Sequence, residues 1–85
     1  MGSYKLLIRP SAAKELEGVP TNIRRRIAVR IQALANDPRP RGREKLSGQE
    51  RYRVRQGAYR IIYSIHDETH SILVVKIEHR RDVYR

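Results

Sequence analysis

The chain has 85 residues, the size of one small domain over 1–85, and 19 Lys and Arg stand against 9 Asp and Glu, for a formal net charge of +10. The absence of cysteine excludes a disulfide framework and a thiolate metal site, and suits the cytoplasm. Because such charge on a small domain repels itself, we expect a polyanionic partner. Nucleic acid is favoured over an anionic membrane, since no helix carries a strong apolar insertion face, and an acidic protein partner stays open.

The first half of the chain predicts one strand followed by two helices. Residues 4–8, YKLLI, are typical of a short strand. Pro10 suits the first position of a helix and Gly18 suits its end, which predicts a helix over 11–17. A second helix is predicted over 21–36, with its arginines in solvent and its apolar residues at helical spacing on one face. Those apolar residues are Ile23, Ile27, Ile31 and Leu34, and the arginines are Arg24, Arg25, Arg26 and Arg30.

The second half of the chain predicts a basic loop followed by three strands. Residues 38–50, PRPRGREKLSGQE, are rich in proline, glycine and charge and indicate a loop. The runs 52–56, 59–66 and 71–79 are rich in Tyr, Val and Ile and are separated by short polar turns. We therefore expect an α+β fold, in which a helical hairpin packs on one face of a mainly antiparallel four-stranded sheet.

The stretch RYRVRQGAYR predicts a hairpin that sorts its residues onto two faces. Glycine at the first central position suits a two-residue type II′ turn at Gly57-Ala58. That turn pairs Gln56 with Tyr59 and Arg55 with Arg60. One face should join the core, with Tyr52, Val54, Tyr59, Ile61, Tyr63 and Ile65. The other face should carry Arg51, Arg53, Arg55 and Arg60.

The third strand is expected to extend this basic face. Leu73, Val75 and Ile77 share one parity and are predicted to join the core. Lys76, Glu78 and Arg80 share the other parity, which would bring Arg80 near Arg60.

Like charges directly opposite each other on a sheet cost up to ~1 kcal/mol. Arg55 opposite Arg60 is therefore interpreted either as a solvated face or as a phosphate cradle, in which an anion offsets the repulsion.

The side chains present in the sequence limit the reactions that the protein could catalyse. His66, His70 and His79 are not at metal-ligand spacing, and no glycine-rich nucleotide loop occurs, so we expect neither a metal nor a cofactor. His66 and His70 are predicted to lie at a surface turn. Clustered arginines with a tyrosine suit RNA cleavage by the RNA's own 2′-hydroxyl, because the substrate then supplies the nucleophile.

Tyr84 is the candidate general base. Its neighbours Arg80, Arg81 and Arg85 favour the phenolate form, which accepts a proton. The alternative is that Tyr84 packs as an ordinary aromatic residue on the sheet edge.

The blocks KLSG-x-x-x-YRVR-x-G-x-YRIIY (45–63) and HRRDVYR (79–85) resemble the RelE family of bacterial and archaeal toxins. The resemblance implies a microbial-ribonuclease-like fold and ribosome-dependent cleavage of messenger RNA in the A site. It also implies a cognate RelB-like antitoxin, with the ribosome, its ribosomal RNA and messenger RNA as further partners and no membrane.

Carried over by position, the resemblance implies that four arginines bind and stabilise the phosphate while Tyr84 acts as base. The arginines are Arg53, Arg55, Arg60 and Arg80. Further contacts with RNA or the ribosome are expected from Lys45, Arg51, Lys76, Arg81 and Arg85.

One departure from the family concerns the proton donor. Relatives often have lysine where this chain has Arg53 and Arg55, and arginine holds its proton too tightly to donate it. The proton for the leaving oxygen must then come from water or another residue, such as Glu78 or His79. Two other functions stay open: a gyrase poison like the ParE toxins on the same scaffold, and a non-catalytic nucleic-acid-binding module.

Overall fold

The protein, seen here as a computed structural model, is described over residues 3–46 and 51–83, with side chains through Arg81. The chain begins with a strand and two helices, continues with four strands, and ends the described part with a short helix. In chain order these are β1 (Lys5–Ile8), α1 (Pro10–Glu17), α2 (Thr21–Asn36), β2 (Glu44–Leu46), β3 (Arg51–Gln56), β4 (Tyr59–His66), β5 (Ser71–His79) and α3 (Arg80–Val83).

The strands form one sheet in the order β1-β5-β4-β3-β2. Among the described strands only the β1–β5 pair is parallel, so the predicted α+β class with a mainly antiparallel sheet is confirmed. The sheet has five described strands and not four, because β2 lies inside the segment predicted as a loop. β2 pairs antiparallel with β3. Its three residues, EKL, are too few to show a strand periodicity in the sequence.

Helix α2 lies over one face of the sheet and supplies the helical side of the core. It spans the predicted residues, and Ile27, Ile31 and Leu34 on its apolar face are buried. They pack with strand residues such as Ile61 and Val74. Two of the four arginines predicted to be in solvent are exposed, Arg25 and Arg26, whereas Arg24 and Arg30 are half-buried.

Helix α1 packs beside β5 and completes its edge. It begins at Pro10, one residue before the predicted start, because proline is tolerated in the first helical turn. β1 pairs only with the first half of β5, ending at Val74. Beyond that point the Glu15 carboxylate accepts a hydrogen bond from the backbone N–H of Ile77 at 3.0 Å. This hydrogen bond satisfies a partly buried backbone N–H at the edge of β5.

The predicted hairpin register between β3 and β4 is confirmed. Gln56 lies opposite Tyr59 and Arg55 opposite Arg60. Gly57 has φ 60, in the left-handed region that glycine adopts without strain. On the face toward the helices, Tyr52, Val54, Ile61, Tyr63 and Ile65 are buried and Tyr59 is half-buried.

The predicted core parity of β5 is wrong over its first half. A bulge shifts the register between Ile62 and Tyr63, so that Tyr63 lies opposite Val74. Ile72 and Val74 therefore belong to the core cluster and Leu73 is only half-buried. Val75 is buried but lies outside that cluster, and Ile77 keeps its predicted side. A bulge inserts one residue and exchanges the faces beyond it, which a strict two-residue period in the sequence cannot reveal.

The Tyr63 hydroxyl is a buried polar group that ties the sheet to the segment after α2. It donates a hydrogen bond to the Pro38 carbonyl at 2.7 Å, and Tyr63 is 0% exposed. We expect Tyr63→Phe to lower the free energy of unfolding by about 1–3 kcal/mol, because the Pro38 carbonyl loses its partner in the interior. Urea titration measures this change. Tyr59→Phe, which removes the same atom from a half-buried ring, is the matched control.

The hydrogen bond from Tyr63 to Pro38 also predicts that the free energy of unfolding depends on pH. Burial raises the pKa of Tyr63 to about 12. In the unfolded chain the phenol titrates near its ordinary value of about 10. A raised folded pKa means that the stabilisation is complete below about pH 10 and is lost as pH rises toward 12. The stability difference between the wild type and Tyr63→Phe should shrink over that window, and a constant difference would contradict the assigned role of the hydroxyl.

Candidate nucleic-acid interface

A row of arginines lies on the sheet face opposite α2, which we call the arginine face. Arg51, Arg53 and Arg55 alternate along β3 with the buried Tyr52 and Val54, so their side chains leave the other face. Arg55 is exposed, and Arg51 and Arg53 are half-buried. The strand rise separates successive members of this row by about 7 Å. The structure thus places the three side chains on one face, as the alternation in the sequence predicts.

Arg60 lies next to this row but is nearly enclosed, with 7% exposure. It lies on β4 between two neighbours, Arg55 on β3 and Glu78 on β5. Within the described part of the chain, no buried side-chain nitrogen or oxygen lacks a hydrogen-bond partner. The strands on both sides therefore enclose the Arg60 side chain before any ligand arrives. The sequence predicts the face of Arg60 but not its burial, which results from strands on both sides.

Glu44 is a site residue that the sequence does not reveal. It lies on β2 directly opposite Arg53. Its Oε1 accepts hydrogen bonds from Arg53 Nε at 3.2 Å and Nη2 at 3.0 Å. The two side chains are 49% and 23% exposed, so the ion pair adds little to stability, about 0–1 kcal/mol. Its effect is orientational: one edge of the guanidinium is engaged, and Nη1 lies away from that contact.

The residues after β5 approach the hairpin turn. Arg80 begins α3 instead of ending the strand, and its backbone N–H donates to the Ala58 carbonyl at 2.8 Å. Arg80 is exposed. The exposed Arg81 donates its backbone N–H to Nδ1 of His79 at 3.0 Å. Tyr84 and Arg85, which are also predicted site residues, lie outside the described residues.

Glu78 and His79, the candidate proton donors, lie on opposite faces of the sheet, as their parity in the sequence predicts. Glu78 lies opposite Arg60, on the arginine face. His79 lies opposite Tyr59, and the two rings meet edge-on at a centroid distance of 4.8 Å.

The two lysines named with the arginines lie apart from the row. Lys45 is opposite Tyr52 in the β2–β3 register, so it leaves the sheet on the face opposite to that of Arg53. Lys76 starts on the arginine face, opposite Ile62, but its Nζ forms an ion pair with Glu15 of α1 at 2.9 Å. The structure therefore brings the arginines together without these lysines.

The surface histidines are placed as predicted, at the turn between β4 and β5. His66 and His70 are exposed, and His70 stacks on Tyr4 with ring centroids 4.0 Å apart. In residues 3–46 and 51–83 no group of three or more His, Cys, Asp or Glu is placed to hold a metal ion. Over the same residues, no helix has the length and apolar character needed to cross a membrane.

The chain is similar in sequence and fold to known toxins. The chain is 28% identical to Toxin RelG of Mycobacterium tuberculosis over 86 residues, which cover 96% of this chain and 97% of that protein. The archaeal RelE–RelB complex from Pyrococcus horikoshii is 28% identical, with a TM-score of 0.80, and the match covers 92% of this chain and 96% of that one. The intact E. coli RelBE toxin–antitoxin complex has a TM-score of 0.82 at 19% identity, covering 91% and 96%, and shows a shared fold.

The predicted resemblance to RelE-type toxins is confirmed. A family model described as the ParE toxin of the type II toxin–antitoxin system parDE matches residues 6–84. Since this match spans nearly the whole chain, the protein belongs to the ParE toxin family, within the RelE/ParE superfamily of type II toxin–antitoxin toxins.

Proposed function

We propose that this toxin is a ribosome-dependent endoribonuclease, which cleaves messenger RNA in the A site and so inhibits translation. The observation that carries the proposal is the arginine face: Arg53 and Arg55 lie beside Arg60, which is enclosed between the neighbouring strands. Preorganised positive charge of this kind stabilises a transition state whose negative charge grows on phosphate oxygens. The likeness to RelG and to the archaeal RelE supports the same conclusion.

In the proposed reaction the 2′-oxygen of the RNA attacks the adjacent phosphorus, and the bond to the 5′-oxygen breaks. The products are a 2′,3′-cyclic phosphate and a free 5′-hydroxyl. Tyr84 takes the proton from the 2′-hydroxyl as general base. Arg53 and Arg55 hold the phosphate, and Arg60 and Arg80 stabilise charge on its non-bridging oxygens. Arg55 acts through charge alone, and the 5′-oxygen receives its proton from water or Glu78.

The partner proposed for the resting toxin is an acidic antitoxin. β1 forms one outer edge of the sheet, and Leu6, Leu7 and Ile8 on it are 36%, 43% and 40% exposed. A groove of about 220 Å³ runs between these residues and the helices, where Leu16 and Ile31 also line it. An amphipathic helix or an added strand fits such a surface, and the net charge of +10 favours an acidic partner. A small acidic protein encoded next to the toxin gene should co-purify with the toxin. If co-expression of that protein leaves growth arrest intact, the proposed antitoxin partner is wrong.

The function is tested by inducible expression followed by mapping of messenger RNA 5′ ends. We expect new 5′-hydroxyl ends inside translated regions, and their loss when ribosomes are removed from the message. Because the protein belongs to the ParE toxin family, a gyrase poison is the second candidate function. DNA damage with intact messages would support that candidate, and salt-sensitive RNA binding without cleavage would indicate a non-catalytic module.

A further inference from the structure

A cavity of about 520 Å³ opens on the sheet beyond the arginine row, at the end of β3 and β4 that is far from the hairpin turn. Ser64 and Leu73, which lie opposite each other on β4 and β5, line it. The turn residues after β4, including Asp67 and Thr69, line it as well. The cavity lies one step along β3 from Arg53, and so it continues the surface proposed to bind RNA.

Two arginines line this cavity from opposite sides. Arg51 lies opposite Ser64 from β3, and Arg9 follows β1, where its backbone N–H donates to Val74 at 2.9 Å. In the order β1-β5-β4-β3 their backbones are three strand spacings apart, roughly 14 Å. Long side chains at that separation can reach a ligand between them. Neither guanidinium has an ion-pair partner among the described residues.

Two acidic residues, Asp67 and Glu68, line the cavity, and they differ in how far they offset the positive charge of Arg9 and Arg51. Asp67 is already engaged: Arg39 Nη2 donates to its Oδ2 at 3.0 Å, and the Tyr4 hydroxyl donates to its Oδ1 at 2.7 Å. The hydrogen bonds from Arg39 and then Tyr4 lower the pKa of Asp67, which keeps the carboxylate ionised and paired. Glu68 is the other acid of the cavity lining, which also contains Arg9 and Arg51.

The remaining polar lining suits a nucleoside. Ser64 Oγ and His66 Nε2 are 2.9 Å apart, and Thr69 Oγ1 is 2.7 Å from Ser71 Oγ. Hydroxyl and imidazole groups of this kind can donate to or accept from a ribose or a base edge. Leu73 supplies an apolar surface beside them.

We propose that this cavity is a second nucleotide subsite for single-stranded RNA, which holds a nucleotide flanking the cleaved phosphate. Arg9 and Arg51 contact the phosphate of that nucleotide, and the hydroxyl and imidazole groups lie beside its ribose and base. The proposal rests on the proposed function, since it takes RNA as the ligand, and it adds a contact that positions the strand along β3.

The test is the binding of a fluorescently labelled RNA oligonucleotide with methylated 2′-hydroxyls, which cannot be cleaved. The purified protein is compared with Arg9→Gln, Arg51→Gln and the double variant over a range of salt concentrations. Because Arg9 and Arg51 contact the same phosphate, the double variant should lose one phosphate contact, which reduces the magnitude of the slope of log K against log salt by about 0.7. Arg25→Gln is the matched control, because this exposed arginine lies on α2, across the sheet.

A second RNA probe separates a subsite from a general loss of charge. A dinucleotide that spans only the scissile phosphate should bind the double variant and the wild type alike, whereas the longer strand should bind the double variant more weakly. If the double variant behaves as Arg25→Gln with the longer strand, the subsite is overturned and the proposed function stands. If the wild type neither binds the longer strand nor cleaves messenger RNA on ribosomes, the proposed function falls and the subsite with it.

Discussion

Arg60→Gln is expected to reduce messenger RNA cleavage by about 10²–10³-fold, the usual loss when one preorganised group that stabilises a developing anion is removed. Arg60 is 7% exposed and lies between Arg55 and Glu78, so water cannot readily replace its charge. The loss should fall on the chemical step, because the more exposed Arg53 and Arg55 still bind the phosphate. Single-turnover cleavage on ribosomes with a message in the A site measures the rate.

Three further variants separate an effect on cleavage from an effect on folding. Arg60→Lys retains a positive charge and should recover part of the rate, but not the planar geometry of the guanidinium. Arg55→Gln changes an exposed side chain and should leave the thermal unfolding temperature unchanged while it weakens RNA binding. Arg25→Gln should cleave as the wild type does. If Arg60→Gln folds normally and cleaves at the wild-type rate, the arginine face is not the site of reaction.

The arginine face was predictable because its signals are local. The turn at Gly57 fixes the pairing of its neighbours, and alternation along the strand then assigns each side chain to a face. Arg55 and Arg60 become neighbours from these two facts alone. The bounds of α2 were equally accessible, since a run of apolar residues at helical spacing ends at a proline-rich segment.

The unpredicted features depend on contacts between distant segments. β2 exists because Glu44–Leu46 pairs with β3, not because its own three residues favour a strand. The ion pair of Glu44 with Arg53 follows from that pairing and was hidden with it. Likewise the bulge in the β4–β5 pair places Val74 in the core cluster and Val75 outside it, although both residues are buried, apolar and β-branched. Arg9 joins Arg51 at one cavity only because β1 and β3 belong to the same sheet.

Tyr84→Phe is expected to reduce cleavage by about 10²–10⁴-fold, the range that general-base catalysis supplies. The change removes one oxygen and keeps the ring, so packing and antitoxin binding should persist. Tyr84 follows α3 in the chain, and α3 begins at Arg80, whose backbone is bonded to Ala58 in the hairpin turn. The readout is the appearance of new messenger RNA 5′ ends after induction, together with the relief of growth arrest.

The pH profile distinguishes a base from a packing residue. If Tyr84 accepts the 2′-hydroxyl proton, the wild-type rate should rise with pH until the phenolate form predominates, and Tyr84→Phe should lose that rise. Tyr59→Phe removes the same atom from the ring that packs against His79, and it should keep both the rate and the profile. A Tyr84→Phe variant with a wild-type profile would show that the arginines act without this base. The proton would then pass to water, with Arg53, Arg55 and Arg60 supplying the catalysis through charge alone.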